Sequence, residues 1–339
     1  MNNYTLCKFM LARHLIPALV LLTSAARAAD STPAPGLQPA ATPKPDFARY
    51  MTIAKIPKDM KVEDNVVYKT VNGQDLKLTV FYPTIKKFEK APLLVYIHGG
   101  GWSHGNRFVV EMSGGVDVVR QLNDAGVVCV TIEYRLINAK DINAMDSEAD
   151  CRDAIHFMVK NAARFGIDPD RIATMGGSAG GHLSLVTALG DDKDYPCDPA
   201  LAKYPGKVVA EAADFPLVSL VDPELFKGSN FVYHGPLEGL IGGPLDKHRD
   251  AAEKLSPMLL LKHDSPAIFL AHGDHDHILN VANSYALAKA CQEKGVPVEL
   301  LVAKNADHGF GGTNVEPPLD EISRRTAAFL LKYLLTGAK

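Results

Sequence analysis

The stretch Gly176-Gly177-Ser178-Ala179-Gly180-Gly181 constrains this chain more than any other. It follows a short apolar run at 171–175 and leads into a helix-like run at 182–189. The local reading is strand, tight turn, helix, with a serine at the apex. G-x-S-x-G in that setting is a nucleophile elbow, and its glycines keep free the space that side chains beside the serine would fill. In an ordinary loop the same letters would make only a flexible turn; the flanking strand and helix make the pattern specific.

The rest of the chain has the alternation such a turn requires. Alternating runs at 66–71 and 76–81, joined by Asn72-Gly73, predict a hairpin. Continuous apolar runs at 93–97 and 127–132 read as central strands, with a helix at 114–125 between them. A longer amphipathic helix is expected at 149–165, ended by Gly166 and the turn Asp168-Pro169-Asp170. Strands follow at 171–175, 208–210, 267–271 and 298–302, with helices at 284–294 and 322–335. Strands alternating with helices predict an α/β chain: a mostly parallel central sheet covered by helices on both faces, with the hairpin adding antiparallel strands at one edge. Residues 216–256, rich in Gly and Pro and carrying Phe226, Phe231 and Tyr233, break the rhythm. They read either as a small cap over the strand ends or as a surface excursion.

Lys8 and Arg13, the apolar stretch 15–22 and Ala26-Arg27-Ala28 together read as a secretory signal peptide over 1–28, too short to serve as a membrane anchor. A Pro/Ala/Thr-rich spacer at 29–45 follows, and 46–339 suits one large catalytic domain. The expected location is secreted or periplasmic. The formal net charge of −3 is spread along the chain with no basic block, so nucleic acid and charged membranes are not expected partners. Cys129, Cys151, Cys197 and Cys291 have no C-x-x-C spacing; they read as free thiols, with one bridge left open.

A serine hydroxyl needs a base to take its proton and an acid to hold that base in one tautomer. His308 follows the last predicted strand and precedes Gly309, which suits a base in an open loop. In the segment His272-Gly273-Asp274-His275-Asp276-His277, Asp276 and Asp274 both follow a strand end. Asp276 lies further into the turn, and Asp307, adjoining His308, would have to double back to reach it. The same cluster contains metal-ligand residue types, but ligands packed into so short a loop cannot all converge on one ion, so no metal is expected. His98-Gly99-Gly100-Gly101-Trp102 follows the strand at 93–97. Its glycines allow close backbone approach, so the N–H groups of Gly100 and Gly101, with that of Ala179, are the candidate oxyanion donors. His98 reads as a brace for that turn. The lysine of a phosphate loop and the spacing of a dinucleotide loop are both missing, so no nucleotide cofactor is expected.

Assembled, these residues resemble the α/β-hydrolase superfamily. Within it the chain is similar to bacterial esterases of the feruloyl-esterase-like and hormone-sensitive-lipase-like groups. The resemblance runs from Val66 to the C-terminus. It is carried by His98 to Trp102, Tyr134-Arg135-Leu136, Gly176 to His182, His272-Gly273-x-x-Asp276 and His308-Gly309-Phe310. It implies the α/β-hydrolase fold and makes Asp276 the acid. Gly177 stands where many hormone-sensitive-lipase relatives have Asp, which brings the chain closer to the feruloyl-esterase-like branch; His277-Ile278-Leu279-Asn280 departs from the usual apolar-proline ending after the acid.

The function expected is a serine esterase acting without a cofactor on small or carbohydrate-linked carboxylic esters. A peptidase or amidase on the same fold is the nearest alternative, and a non-catalytic binding protein the more distant one.

Overall fold

The computed structural model describes residues 60–108, 114–138, 140–230 and 237–336. The signal-peptide and spacer readings lie outside them, as do Phe231 and Tyr233.

The described residues begin with β1 (Lys61–Val71) and β2 (Gln74–Tyr82). They join at Asn72-Gly73, where both residues take positive φ, 52° and 78°, as the primed hairpin turn demands. β1 starts five residues earlier than its alternation predicts. The reason is an irregular step between Glu63 and Val66, with Asn65 at φ 58°, which breaks the period of two. β3 (Ala91–Ile97), α1 (Gly115–Asp124) and β4 (Val128–Ile132) follow as expected.

The long helix differs from its reading. α2 (Ala144–Lys160) begins five residues early, because Asn143 and Asp146 form a reciprocal capping box at its start. It ends before a separate turn, α3 (Ala162–Phe165), which Gly166 closes at φ 65°. β5 (Ile167–Gly177) also extends back through Asp168-Pro169-Asp170, absorbing that turn as an irregularity between Ala91 and Leu93 of its partner. α4 (Ala179–Leu189) starts directly after Ser178. β6 (Val208–Asp214) is longer than its apolar signal because two buried acids, Glu211 and Asp214, interrupt the pattern. Short helices α5 (Leu237–Ile241), α6 (Arg249–Lys254) and α7 (Pro257–Leu260) precede β7 (Ala267–Gly273). The chain closes with α8 (Ala282–Lys294), β8 (Val298–Ala303) and α9 (Leu319–Thr336).

The sheet order is β1-β2-β4-β3-β5-β6-β7-β8. β2 runs antiparallel to β1 and β4, and every other pairing is parallel. β3 shows how the layers form. Leu94 and Tyr96 face α1 and α9, joining Val118, Leu122, Leu330 and Leu334. Leu93, Val95 and Ile97 point the other way, onto Ala154 and Met158 of α2 and Leu183 and Val186 of α4. Burial on both faces explains why this strand is continuously apolar. Cys129, Cys151 and Cys291 are buried free thiols and Cys197 is a half-buried one. Among the described residues no helix is long and apolar enough to cross a membrane.

The parallel strands bring their carboxyl ends to one edge of the sheet. Gly99 to Gly101 follow β3, Ser178 follows β5, Asp276 follows β7 and His308 follows β8. Segments far apart in sequence therefore meet at the edge where open α/β sheets place their ligands.

Candidate active site

Ser178 sits between β5 and α4 at φ 57°, ψ −122°. An L-residue there costs on the order of 1–3 kcal/mol and persists only where its surroundings enforce it. The surroundings do so. The Ser178 amide donates to the Asp214 carbonyl at 2.9 Å. A Cβ on Gly180 would lie 2.1 Å from the Ile97 carbonyl oxygen, and one on Gly176 would lie 2.5 Å from the Gly180 backbone. Glycine is thus required for the turn to press against β3, and that pressure holds the serine at the apex.

His308 opens a short 3-10 turn, His308–Phe310, and its amide donates to the Asp307 carboxylate at 2.7 Å. Its Nδ1–H donates to Asp276 Oδ2 at 2.8 Å, and its Nε2 accepts from the Ser178 hydroxyl at 2.9 Å. The carboxylate can only accept, so the proton belongs on Nδ1 and the lone pair faces the serine. The ring of Phe215, at the end of β6, lies 4.5 Å from the imidazole centroid.

Asp276 has a fully buried side chain. Its Oδ1 accepts from the amides of Ile278 and Leu279 at 2.8 and 2.9 Å, and its Oδ2 lies 3.3 Å from His272 Nε2 as well as on His308. Burial by itself would raise its pKa. The hydrogen bonds from His272 and His308 outweigh that and hold the carboxyl well below the usual carboxylate range. The other two candidate carboxylates lie elsewhere: Asp307 pairs with the exposed His277 ring, and Asp274 Oδ1 is buried without a hydrogen-bond partner. The turn after Asp276 therefore meets its carboxylate with the backbone amides of Ile278 and Leu279.

The glycine turn after β3 packs directly on the elbow. A Cβ on Gly99 would come within 2.7 Å of the Gly177 carbonyl oxygen. Gly100 and Gly101 have φ of 119° and 60°, and no backbone carbonyl among the described residues takes their amides. Ala179 is the first residue of α4, so its N–H is one of the orphan donors at a helix start. His98 braces this turn: its Nδ1–H donates to the Gly99 carbonyl at 2.7 Å, its ring stacks on Tyr134, and Tyr134 donates to the His98 carbonyl at 2.9 Å. Burial lowers the His98 pKa to about 4, so the ring is neutral.

One brace escaped the sequence reading. Trp102, fully buried at φ 59°, donates its indole N–H to His182 Nδ1 at 3.1 Å. His182 Nε2–H donates in turn to the Leu255 carbonyl at 2.7 Å. A single neutral imidazole, its pKa lowered to about 4 by burial, thus joins the glycine turn, the elbow helix and the end of the 216–256 segment. Trp102 and His182 close the two glycine motifs, and that position was the only signal of their partnership.

The 216–256 segment also ties to the acid loop. Asn230 donates its amide to the His277 carbonyl at 2.8 Å, the Asn280 amide donates to Ser229 Oγ at 2.9 Å, and Asn283 donates to the Leu225 carbonyl at 3.2 Å. Phe226 is half-buried against the main core. The His272–His277 residues point apart: His272 to Ser284 and Leu279, His277 to Asp307. Among the described residues the group of ligand-type atoms close enough to share a cation is Asp153, His156 and Cys197. There Asp153 already receives the Lys69 ammonium at 2.6 Å, so a further cation would face a fixed positive charge.

The probable isoprenylcysteine alpha-carbonyl methylesterase ICMEL1 of Oryza sativa subsp. japonica is 26% identical over 249 residues, 68% of this chain and 54% of that protein. The chain thus matches about half the length of that relative. Carboxylesterase NlhH of Mycobacterium tuberculosis is 28% identical over 295 residues, 83% of this chain and 86% of that one. Among solved structures, the thermophilic esterase Est2 of Thermogutta terrifontis superposes with a TM-score of 0.64 at 23% identity, covering 85% of this chain and 95% of that one. This is the α/β-hydrolase fold. The BD-FAE family model matches residues 78–291, more than half of the sequence, and the chain belongs to the BD-FAE family.

Proposed function

We propose that this protein is a secreted serine esterase that hydrolyses small or carbohydrate-linked carboxylic esters. The observation that carries the reading is the continuous hydrogen-bonded path from Ser178 Oγ through His308 to Asp276. Relatives named as carboxylesterase and methylesterase support the ester bond as the target, and the reading of residues 1–28 as a secretory signal peptide supports the location.

In this mechanism Ser178 Oγ attacks the ester carbonyl carbon while His308 Nε2 takes the hydroxyl proton. Asp276 stabilises the resulting imidazolium and holds its tautomer. The carbonyl oxygen becomes an oxyanion facing the N–H groups of Gly100, Gly101 and Ala179. As the tetrahedral centre collapses, the C–O bond to the alcohol breaks and His308 gives its proton to the leaving oxygen. A water then attacks the acyl-serine, losing its proton to His308, and the acid departs as Ser178 regains its proton. No cofactor enters any step.

The test is hydrolysis by the full chain of nitrophenyl esters of graded acyl length, of feruloyl esters and of acetylated sugars, each against Ser178→Ala. The expected loss in Ser178→Ala is about 10⁶-fold in turnover with the fold intact. A variant keeping a tenth of the parental rate would remove Ser178 from the role. Failure on every ester with turnover of amides would replace the substrate class.

A further inference from the structure

His272 is the last-but-one residue of β7 and is completely buried. Its Nε2 faces two groups that can only accept: the Leu279 carbonyl at 2.8 Å and Asp276 Oδ2 at 3.3 Å. Nε2 must therefore carry a hydrogen. Its Nδ1 lies 2.7 Å from Ser284 Oγ on α8, and with Nε2 protonated a neutral ring accepts the serine hydroxyl hydrogen there. The same Asp276 oxygen receives the Nδ1–H of His308. Two imidazoles thus share one carboxylate oxygen, one working on Ser178 and one anchored to the scaffold.

We propose that His272 is a positioning residue for the acid, donating to the same Asp276 oxygen that receives His308, with Ser284 fixing the ring of His272. This rests on the reading of Ser178, His308 and Asp276 as an ester-hydrolysing unit. The extended unit runs Ser284–His272–Asp276–His308–Ser178. Its consequence is electrostatic. A donor at Oδ2 takes up part of the carboxylate charge, so Asp276 holds the His308 imidazolium less tightly than a free carboxylate would.

Within this unit Asp276 and His308 are the titratable groups beside His272, and the Asp307 carboxylate touches it from outside by accepting the His308 amide at 2.7 Å. β6 contributes the buried carboxyls of Glu211 and Asp214, which sit at register positions opposite Ile268 and Ala271. β8 places the apolar Val302 beside His272, and α8 contributes the uncharged Ser284 and Asn283. On the acid loop His275 is exposed and His277 is taken by Asp307.

The experiment is the pH profile of kcat/KM on p-nitrophenyl acetate for His272→Phe, His272→Gln and Ser284→Ala, each with its thermal unfolding curve and with Ser178→Ala alongside. Phe keeps the bulk and removes the donor, so the acid limb should move up by about half a pH unit and kcat should fall about tenfold with KM little changed. Gln places an amide N–H near the position of Nε2, so its acid limb should return to within about 0.2 unit of the parent. Ser284→Ala should shift the limb the same way by a smaller amount, since the serine only strengthens the ring as a donor. A folded His272→Phe with the parental limb overturns the proposal, as does a His272→Gln displaced as far as Phe. Should His272→Phe not fold, a Ser284→Ala profile identical to the parent overturns it. An active Ser178→Ala would instead overturn the esterase reading. An inactive Ser178→Ala with unmoved limbs overturns the role of His272 alone.

Discussion

The neutral imidazole of His182 makes a quantitative demand on stability. In the unfolded chain a histidine titrates near 6.5, whereas burial lowers the His182 pKa to about 4 in the fold. Between those values the unfolded state binds a proton that the native state refuses, so stability falls as pH falls through that window. At pH 5 the penalty from this one residue is about 2 kcal/mol, from about 1.36 kcal/mol per pH unit. His98, lowered to about 4 for the same reason, adds a like amount. The whole-protein slope does not isolate either effect. Buried Glu148, its pKa raised to about 8, and Glu211, raised well above the usual range, are protonated in the fold and ionised when unfolded, which gives the opposite slope. His156 is raised by Asp153 and Asp192 despite its burial, so its contribution is lost only as pH rises above 6.5. The informative quantity is therefore a difference. His182→Gln keeps a donor for the Leu255 carbonyl and cannot titrate. Urea unfolding of parent and variant at pH 7, 6 and 5 should show the variant's destabilisation shrinking by about 2 kcal/mol over that span. A difference independent of pH would mean that His182 titrates in the fold as it does in the unfolded chain, and one that grows as pH falls would mean that it is charged in the fold; either would make the Trp102–His182–Leu255 relay wrong as drawn.

The acid is tested by comparing Asp276→Asn with Asp274→Asn in kcat on a nitrophenyl ester: the first should lose about three orders of magnitude or more, because the amide no longer holds the His308 tautomer, and the second far less. A more damaging Asp274→Asn would overturn the assignment. Trp102→Phe removes the indole donor from buried His182 Nδ1. It should cost about 1–3 kcal/mol in chemical unfolding, and it should lower kcat more than it changes KM, because the glycine turn loses its tie to the elbow helix.

What the sequence determined by itself was everything written in local rules. Asn72-Gly73 specified a hairpin because a two-residue turn needs two positive φ values. The elbow was legible because Gly176 and Gly180 stand where a Cβ would strike the Gly180 backbone and the Ile97 carbonyl, and the apolar run of β3 was legible because both faces of the sheet are covered. Signals failed where polar residues broke the apolar pattern: the buried acids Glu211 and Asp214 hid the end of β6, and the capping pair Asn143 and Asp146 set the start of α2 ahead of the amphipathic stretch. The family resemblance already favoured Asp276 as the acid, but only the tertiary structure brings its carboxylate to His308. His308 and Ser178 are 130 residues apart, Trp102 and His182 are 80 apart, and no spacing rule links them. Asp274, Asp276 and Asp307 are equal candidates in composition, and only the path of the acid loop, pinned by the Ile278 and Leu279 amides, aims one of them at His308. Hydrogen-bond direction and the sharing of one carboxylate by two imidazoles are properties of packed geometry, because they depend on where a strand end, a loop and a helix meet in space.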